Sequence, residues 1–471
     1  MVCDVLSFLK YIETRIRLEL MANKGEAMEN HAIASQGLWS RAREVAIQTP
    51  ESRNRYVDFL RALSILAVIS GHWLMAAPLV IDGELAFTNM LAVEPWTRWL
   101  TWGFQVMPIF FLVGGYANGV SWDASIRDGS GYSKWFVSRL ARLIIPVLPL
   151  VLVWIVICGL GNAVGVQADL IKIVSQGGLV PIWFLSVYIL VVLLVPISMR
   201  AWKRYRMASF WFLALLAVVD DVLFFAFGLK AFGWFNYAFV WLAVHQLGYA
   251  WRDGYLGGLR SAVVWMMMGA LLLIGMVIWG PYPISMVSVP GDEVSNTLPP
   301  KFAMLALGML QIGILLGFER PVQHWLTRIR LWTATIVING MIMTIYLWHL
   351  TASMLIVGLA LPLGNIGLEA VPGSILWWIS RPIWFVFFVL ALALLMTVFG
   401  RLETRPLKVD RTIASWRLIF GALTTCGGLA LLALNGVVGS HWFGLQLYVL
   451  CLPFLGAAIA GVLPMPKIYG R

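Results

Sequence analysis

Residues 55–72 read RYVDFLRALSILAVISGH, an apolar run that contains an acid, an arginine and a histidine and stays apolar to residue 80. A helix needs about 20 largely apolar residues to cross a bilayer. The chain holds twelve such runs, at 57–80, 99–120, 143–160, 181–199, 208–227, 234–251, 261–279, 302–318, 334–360, 375–399, 418–438 and 443–464. We therefore predict an all-α polytopic membrane bundle of about 12 transmembrane helices.

The composition supports this class. Of the 471 residues, 60% are hydrophobic and 12% are charged, whereas a soluble domain carries about 25% charged residues. So few charges cannot cover the apolar mass in water, which excludes a soluble multidomain protein. The net charge of +11 could indicate nucleic-acid binding, but membrane proteins also retain Lys and Arg in their cytoplasmic loops.

The positions of the basic residues favour the second explanation. The N-terminal segment, the even-numbered loops and the C-terminal tail hold 28 of the 34 Lys and Arg residues, and the odd-numbered loops hold 4. Because the loops rich in Lys and Arg face the cytoplasm, we predict that both termini are cytoplasmic and expect no nucleic-acid partner. The predicted organisation is a cytoplasmic N-terminal extension (1–55), a membrane core (56–400), and a cytoplasmic loop with two additional transmembrane helices (401–471).

Two further features bear on partners and cofactors. The four cysteines lack metal-binding spacing, so neither a metal nor a permanently bound cofactor is predicted. The longest outward loop, around 280–301, is rich in Pro, Gly and Ser and could fold over an external opening. We expect a multi-pass protein of the cell membrane in contact with membrane lipids; a homo-oligomer is left open.

Ionisable residues inside the predicted helices are candidate functional residues, because a charge in the hydrocarbon costs at least ~2.5–3.5 kcal/mol. Arg61 and His72 are eleven residues apart, so they share one helix face about 16 Å apart along the axis. Asp58 can pair with Arg61 on that face. The alternative is structural, with Arg61 reaching the interface and His72 bonded to a neighbouring helix. The full set is Asp58, Arg61, His72, Asp220, Asp221, His245, His349 and Arg381.

Depth groups several of these residues. At ~1.5 Å per helical residue, His72 and His349 both lie about 22 Å from the predicted cytoplasmic ends of their helices, and Asp220 lies about 18 Å in. Arg381 lies near the same level. We predict a polar chamber in the outer half of the membrane, and we interpret His245, nearer the middle, as structural.

Two arginines stand where the third predicted helix begins. Arg139 and Arg142 are one helical turn apart, and two guanidinium groups at that spacing could clamp a phosphate or diphosphate. The alternative is that they are positive anchors that fix topology. The sequence leaves both interpretations open.

The combined motifs resemble the acyltransferase-3 family of integral-membrane acyltransferases. Arg61 and His72, with ten residues between them, are similar to the R-x10-H signature of that family. The other motifs that resemble those of the family are Pro108-Ile-Phe-Phe-Leu-Val-Gly-Gly-Tyr116, Arg139-x-x-Arg142, Trp183-Phe-Leu185 with Tyr188, and Tyr346-Leu-Trp-His349. One departure is Gly114, where the family often has serine.

The resemblance implies transfer of an acyl group, usually acetyl, from cytoplasmic acyl-CoA to a hydroxyl of a glycan, lipid or secondary metabolite. It points to cell-envelope chemistry at a bacterial plasma membrane. On this hypothesis His72 acts as the general base, or else as a transient acyl carrier. His349 or Arg381 stabilises the oxyanion, and Asp220 or Asp221 orients His72.

On the same hypothesis the acyl-CoA phosphates are held at the inner face by Arg61, Arg139, Arg142 and Lys134. The pantetheine arm then reaches along the helix face toward His72. This assignment belongs to the resemblance rather than to the spacing alone.

Two other classes remain. A proton-coupled transporter or exporter would also use intramembrane His, Asp and Arg, although the chain shows neither the inverted repeat nor the paired broken helices of many transporters. A lipid-linked glycosyltransferase would need acids in the first outward loop, where Asp82, Glu84 and Glu94 stand.

Overall fold

The structure, a computed structural model, describes residues 37–404, 413–439 and 444–463. It is built almost entirely of helices. The α-helices in the described residues are α1 Leu38–Ile47, α2 Arg55–Met75, α3 Met90–Val93, α4 Thr101–Phe104, α5 Met107–Arg127, α6 Gly131–Ile144, α7 Val147–Ala163, α8 Ala168–Leu179, α9 Ile182–Leu193, α10 Val195–Tyr205, α11 Met207–Phe225, α12 Asn236–Arg252, α13 Leu259–Trp279, α14 Phe302–Trp325, α15 Ile329–Gly340, α16 Ile342–Ala360, α17 Ile375–Thr404, α18 Ser415–Asn435 and α19 Leu447–Ile459. Strands β1 (Ala76–Ile81) and β2 (Glu84–Asn89) and the 3-10 helices Pro95–Leu100 and Phe232–Phe235 complete the fold.

Nine helical stretches of the described chain are long and apolar enough to cross a membrane, and α8 with α9, bent by 42°, would form a tenth. The two remaining predicted segments form the shorter helices α12 and α19. Each of the twelve apolar runs therefore contains a helix. The predicted class, an all-α multi-pass membrane bundle, is confirmed, while the count of 12 and the cytoplasmic termini stay predictions.

The first predicted helix is wrong at its end. Helix α2 stops at Met75, and β1 then pairs antiparallel with β2. Two local features explain the change. Pro78 lacks the N–H that a helix interior needs, and Asp82 and Gly83 both adopt positive φ, at 52° and 82°, as a tight hairpin turn requires.

The ninth predicted segment, 334–360, is wrong as a single helix. It is divided at Met341, whose φ of −129° and ψ of 23° are not helical. The new helix start is stabilised by Glu403 at the end of α17. Its carboxylate accepts the Met343 and Thr344 N–H groups at 2.9 and 2.8 Å and the Thr344 hydroxyl at 2.8 Å. An acid satisfies the free donors of a helix N-terminus, so Glu403 fixes the start of α16, the helix that carries His349.

Helices α5 and α12 cross at glycines. A Cβ at Gly115 would overlap the carbonyl oxygen of His245, and a Cβ at Gly248 would overlap the carbonyl oxygen of Leu112. Small residues let membrane helices pack backbone to backbone. This contact fixes α5 and α12 in the interior of the bundle.

The two C-terminal helices join the bundle through α8 and α9. Ser186 on α9 donates to the Cys426 carbonyl at 2.9 Å, and Gln176 on α8 donates to the Leu434 carbonyl at 2.8 Å. Helices α18 and α19 also pack closely on each other where a Cβ at Gly421 would lie 2.6 Å from the Ala460 nitrogen. Helix α18 is therefore part of the bundle's wall.

The predicted N-terminal extension is helical at residues 38–47, and residues 1–36 lie outside the described residues. Helix α1 packs on the loop before α15 and on α15 itself, where Ala46, Leu326 and Trp332 form a small buried cluster. The Trp332 indole donates to the Thr49 hydroxyl at 3.0 Å. The described part of the extension thus covers one end of the bundle.

Candidate active site

Two histidines from distant parts of the chain meet in the bundle. Nδ1 of His72, in the last turn of α2, lies 2.8 Å from Nε2 of His349 on α16. Their rings stack with centroids 5.1 Å apart and planes inclined by 15°. Of the residues predicted to share a polar chamber, His72 and His349 are therefore in direct contact.

The neighbouring tryptophan holds this contact in place. The Trp73 indole donates to the His349 carbonyl at 3.0 Å, which ties the end of α2 to α16. Trp73 is buried and packs against Phe385 and Phe388 of α17, with ring centroids 5.4 and 5.3 Å away. Three helices therefore position the pair.

The hydrogen bonds determine where the protons lie. Nδ1 of His349 is 2.6 Å from the Tyr346 carbonyl oxygen, and because a carbonyl only accepts, this nitrogen carries the proton. In a neutral imidazole the other nitrogen is then an acceptor, so Nε2 of His349 accepts from Nδ1–H of His72. We assign the remaining lone pair to Nε2 of His72. That nitrogen is available as a base.

His72 also lines a cavity of about 610 Å³ at the end of α2. The walls come from α2, α9, the region between β2 and α5, the start of α12, the loop before α14, α16, α17 and α18. Their residues include Met90, Trp96, Phe104, Trp183, Trp234, Leu298, Tyr346, Trp378, Ala430 and Ala433. A cavity of this size can enclose most of a small organic molecule.

The loop at 280–301, for which the sequence left open a role as a simple connection between two helices, contributes to one side of this cavity. Val287, Ser288, Thr297 and Leu298 contribute to the lining. The loop is fixed by several hydrogen bonds to the segment before α5, among them the Trp102 indole to the Ile284 carbonyl at 2.9 Å. Arg98 adds a salt bridge to Asp292 at 3.4 Å.

The candidate phosphate-binding arginines also form one group. Arg139 interacts electrostatically with both Arg142 and Arg61. Its Nε is buried and has no hydrogen-bond partner in the described part of the chain, and its guanidinium lies 5.6 Å from the centroid of the Trp135 ring. Among the described residues, no carboxylate forms a salt bridge with Arg139 or Arg142. A cationic cluster with unused donors is suited to an anion.

The surroundings of this cluster refine the sequence-based assignment. Asp58 pairs with Arg61 at 3.5 Å, as predicted, and with Arg53 at 2.7 Å. Lys134 is exposed on α6. Glu403 is an electrostatic neighbour of Arg142, and it also holds the start of α16. The arginine cluster and the histidine-bearing helix therefore share one carboxylate.

Asp220 and Asp221 belong to a different cluster. Asp221 accepts from the Asn236 amide at 2.9 Å, the Tyr282 hydroxyl at 2.9 Å and the Phe302 N–H at 2.7 Å. Among the described residues, Nδ1 of His72 contacts His349 rather than an aspartate, so the orientation of His72 by Asp220 or Asp221 stays a prediction. Asp221 instead holds the two ends of the outer loop.

A buried lysine completes this aspartate cluster. Lys301 is fully buried, its Nζ lies 3.8 Å from the centroid of the Phe224 ring, and it interacts electrostatically with both aspartates. Burial lowers the pKa of Lys301, and the Asp221 and Asp220 charges oppose that shift. Burial also raises the pKa of Tyr282, so its hydroxyl remains a donor to Asp221.

Arg381 is placed among tryptophans rather than beside the histidines. Its guanidinium lies 4.0 Å from the Trp377 ring centroid and 5.6 Å from that of Trp384. It is 4% exposed, and its Nε is buried without a hydrogen-bond partner. Arg381 does not line the cavity that His72 lines. The structure therefore gives no contact through which Arg381 would reach a group bound at His72.

Comparison with known proteins adds the family. A model of the acyltransferase-3 family, described as an acyltransferase domain, matches residues 54–400. The chain belongs to the acyltransferase-3 family. No curated protein and no solved structure matches it. The resemblance drawn from the motifs is confirmed, and with it a membrane acyltransferase family.

The acyltransferase-3 match covers most of the candidate site but not all of it. It contains the histidine pair and the arginine cluster, and it ends before Glu403 and before α18. Two residues that matter to the site, Ala430 and Ala433 of the cavity wall, therefore lie beyond it. Their small, apolar side chains give no signal in the sequence that distinguishes them from other bundle residues.

The glycine that departs from the acyltransferase-3 pattern has a physical reason. A Cβ at Gly114 would lie 2.8 Å from Cε2 and 2.9 Å from the hydroxyl of Tyr188. The Tyr188 hydroxyl thus occupies the space of a serine side chain, and it accepts from Asn118 at 3.3 Å. Asn118 also lies 3.2 Å from Nε2 of His245. His245 is fully buried in this packing, as expected of a structural histidine.

Proposed function

We propose that this acyltransferase-3 protein moves an acyl group, in the simplest case acetyl, from acyl-CoA to a hydroxyl of a glycan, lipid or secondary metabolite, with His72 as the general base. The observation that carries the proposal is the relay from the Tyr346 carbonyl through His349 to His72. It leaves one imidazole nitrogen unprotonated at a cavity inside the membrane protein. A neutral imidazole is the commonest general base in enzymes.

In the proposed reaction, His72 takes a proton from the acceptor and then returns it to the leaving group. The acceptor oxygen attacks the thioester carbonyl while Nε2 of His72 takes the hydroxyl proton. The new C–O bond forms and the C–S bond breaks. The proton then passes to the leaving thiolate, which departs as CoA thiol. His349 accepts a hydrogen bond from Nδ1–H of His72 throughout and so stabilises the imidazolium.

His349 acts in this scheme as a positioning residue. Both of its nitrogens are engaged, one with Tyr346 and one with His72, so neither is free to stabilise the oxyanion as the sequence suggested. A third group orients the base in many nucleophilic and acid-base sites. Here a backbone carbonyl orients His349, and His349 orients His72.

The proposal places the donor at the arginine cluster. Arg61, Arg139 and Arg142, with Lys134 at the exposed rim, bind the phosphates of acyl-CoA. Arg61 and His72 lie about 16 Å apart along α2, a distance that an extended pantetheine arm can span. The excess of basic residues puts this cluster at the cytoplasmic face, where acyl-CoA occurs.

The base can be tested with purified protein in detergent and acetyl-CoA. His72→Ala removes the proton acceptor. We therefore expect thioester turnover, measured as release of CoA thiol, to fall by about 10²–10⁴-fold. The matched control is His324→Ala, which removes an exposed histidine at the end of α14. Equal turnover by wild type and His72→Ala would eliminate His72 as the base. Proton-driven flux of a solute without thioester turnover would favour the alternative function, a proton-coupled transporter.

The donor site is tested by binding. Arg139→Ala and Arg142→Ala each remove a charged donor, so the dissociation constant for acetyl-CoA should rise by about tenfold or more. The control is Arg260→Ala, an exposed arginine of another basic loop. An unchanged dissociation constant in both variants would make the pair topology anchors only.

A further inference from the structure

Several polar side chains in the wall of the His72 cavity are hydrogen-bonded to other parts of the protein. The Ser186 hydroxyl donates to the Cys426 carbonyl at 2.9 Å, and the Tyr346 hydroxyl donates to the Pro181 carbonyl at 2.8 Å. Thr297 donates to the Met286 carbonyl at 2.6 Å, and the Gln105 amide donates to the same carbonyl at 3.1 Å. A ligand with many hydroxyl groups would find few free partners in these side chains.

The two lining threonines next to the hairpin are committed in the same way. Thr97 donates to the Glu94 carbonyl at 2.6 Å, and Thr101 donates to the Arg98 carbonyl and accepts the Met286 N–H at 2.8 Å. The rest of the lining is mostly aliphatic and aromatic. The cavity thus presents the basic nitrogen of His72 in a wall that is mostly apolar, to which the Tyr237 hydroxyl and several tryptophan indoles also contribute. This arrangement selects a ligand with one reactive polar group on an apolar body.

The cavity also reaches the outside of the bundle through apolar residues. Leu434 of α18, Trp234 and Leu298 all line it, and each is exposed, at 49%, 51% and 47%. In a membrane-spanning bundle an exposed leucine on a spanning helix faces lipid. The cavity therefore has an exposed apolar edge beside α18.

We propose that the acceptor is an alcohol with an extended apolar body, which enters from the lipid beside α18, and that Ala430 and Ala433 set the width of its channel. This inference rests on the proposed function, since it assumes that His72 activates a hydroxyl. It assigns acceptor selection to a helix outside the residues that match the acyltransferase-3 family. The reaction is the acyl transfer described above, with this alcohol as the attacking group.

The test uses a series of primary alcohols, from ethanol through hexanol to dodecanol, and methyl glucoside as a polar alternative. Purified wild-type protein is incubated with acetyl-CoA and each acceptor, and the acetyl ester is quantified. We expect esters of the longer alcohols to exceed those of ethanol and of methyl glucoside by about tenfold or more, since added methylene groups gain apolar contacts.

Ala433→Trp narrows the proposed channel, so the ratio of dodecyl to ethyl ester should fall by about tenfold. The matched control is Leu431→Trp, which places the same side chain on the exposed face of α18. It should leave the ratio unchanged. Partition of long alcohols into detergent is the same for all variants, so it cannot produce a change confined to Ala433→Trp.

The outcomes separate the two proposals. His72-dependent turnover with no preference for long alcohols, or with methyl glucoside as the best acceptor, would overturn the inference and leave the proposed function standing. A ratio lowered equally by Leu431→Trp would overturn the role of Ala433. Absence of any His72-dependent turnover would overturn the proposed function and the inference with it. The wild-type series decides the acceptor class even if Ala433→Trp does not fold.

Discussion

A backbone carbonyl at His349 takes the place that a carboxylate takes in Ser-His-Asp triads. The Tyr346 carbonyl lies three residues before His349 on the same helix, so the helix itself fixes the tautomer. A buried carboxylate would add a negative charge to the site, and burying a charge in apolar surroundings costs free energy. A neutral carbonyl avoids that cost and still makes Nε2 of His349 an acceptor. The relay is thus compatible with an apolar bundle.

This arrangement predicts different results for two substitutions of His349. Glutamine can donate to the Tyr346 carbonyl through its amide nitrogen and accept from His72 through its oxygen, whereas leucine can do neither. We expect His349→Leu to reduce thioester turnover by about 10²-fold or more and His349→Gln to retain a larger fraction. The measurement is release of CoA thiol at matched protein levels. Similar losses in both variants would indicate that the hydrogen-bond relay is not what matters at this position.

At the scale of single residues, the sequence identifies candidates but not their partners. His72 and His349 could be recognised because each is ionisable inside an apolar run. Their contact could not, because no feature of the sequence states that α2 and α16 are neighbours. The partners of the aspartates could not be predicted either. Asp221 lies at the depth expected of the candidate site, but its carboxylate accepts hydrogen bonds from Asn236, Tyr282 and Phe302.

At the scale of elements, both ends of the outer loop are bonded to a single carboxylate. Asp221 on α11 accepts bonds from Asn236 of α12, from Tyr282 at the start of the loop and from Phe302 at its end. The loop is therefore fastened at both ends to the same side chain. Because the loop covers the His72 cavity, its attachment affects access to the site.

Removing this fastening should loosen the loop. Asp221→Ala leaves three donors without their acceptor, which costs at least about 2 kcal/mol. We expect a lower Tm in detergent and faster proteolytic cleavage within 280–301. The matched control is Glu293→Ala, an exposed acid of the same loop, which should leave both measurements unchanged. A normal cleavage rate for Asp221→Ala would contradict the anchoring role.

Elements were predictable where a local signal exists. The apolar runs located a helix in every predicted segment. The division of α15 from α16 could not be found in this way, since the apolar run continues through Met341 and the stabilising acid, Glu403, stands about 60 residues later. The β1–β2 hairpin did have signals, in Pro78 and in the Asp82-Gly83 pair, but they lay within a run long enough to read as helix.

At the scale of the whole molecule, the charge distribution predicts the orientation. The Lys and Arg count of 28 against 4 puts Arg127 on the cytoplasmic side and the loop at 280–301 on the opposite side. We expect a membrane-impermeant maleimide to label Glu293→Cys in intact cells, and Arg127→Cys only after permeabilisation. Both positions are exposed. The unsubstituted protein, which has an exposed thiol at Cys451, supplies the background. The reverse labelling pattern would overturn the orientation.

Glu403 has a consequence for where the catalytic unit ends. The family match stops at residue 400. The first N–H groups of α16, the helix that carries His349, nevertheless donate to the carboxylate of Glu403. A chain shortened to residue 400 would keep every histidine and arginine of the site. It would lose the group that fixes the start of α16, and with it the register between the two imidazoles. The smallest active chain should therefore extend past residue 403.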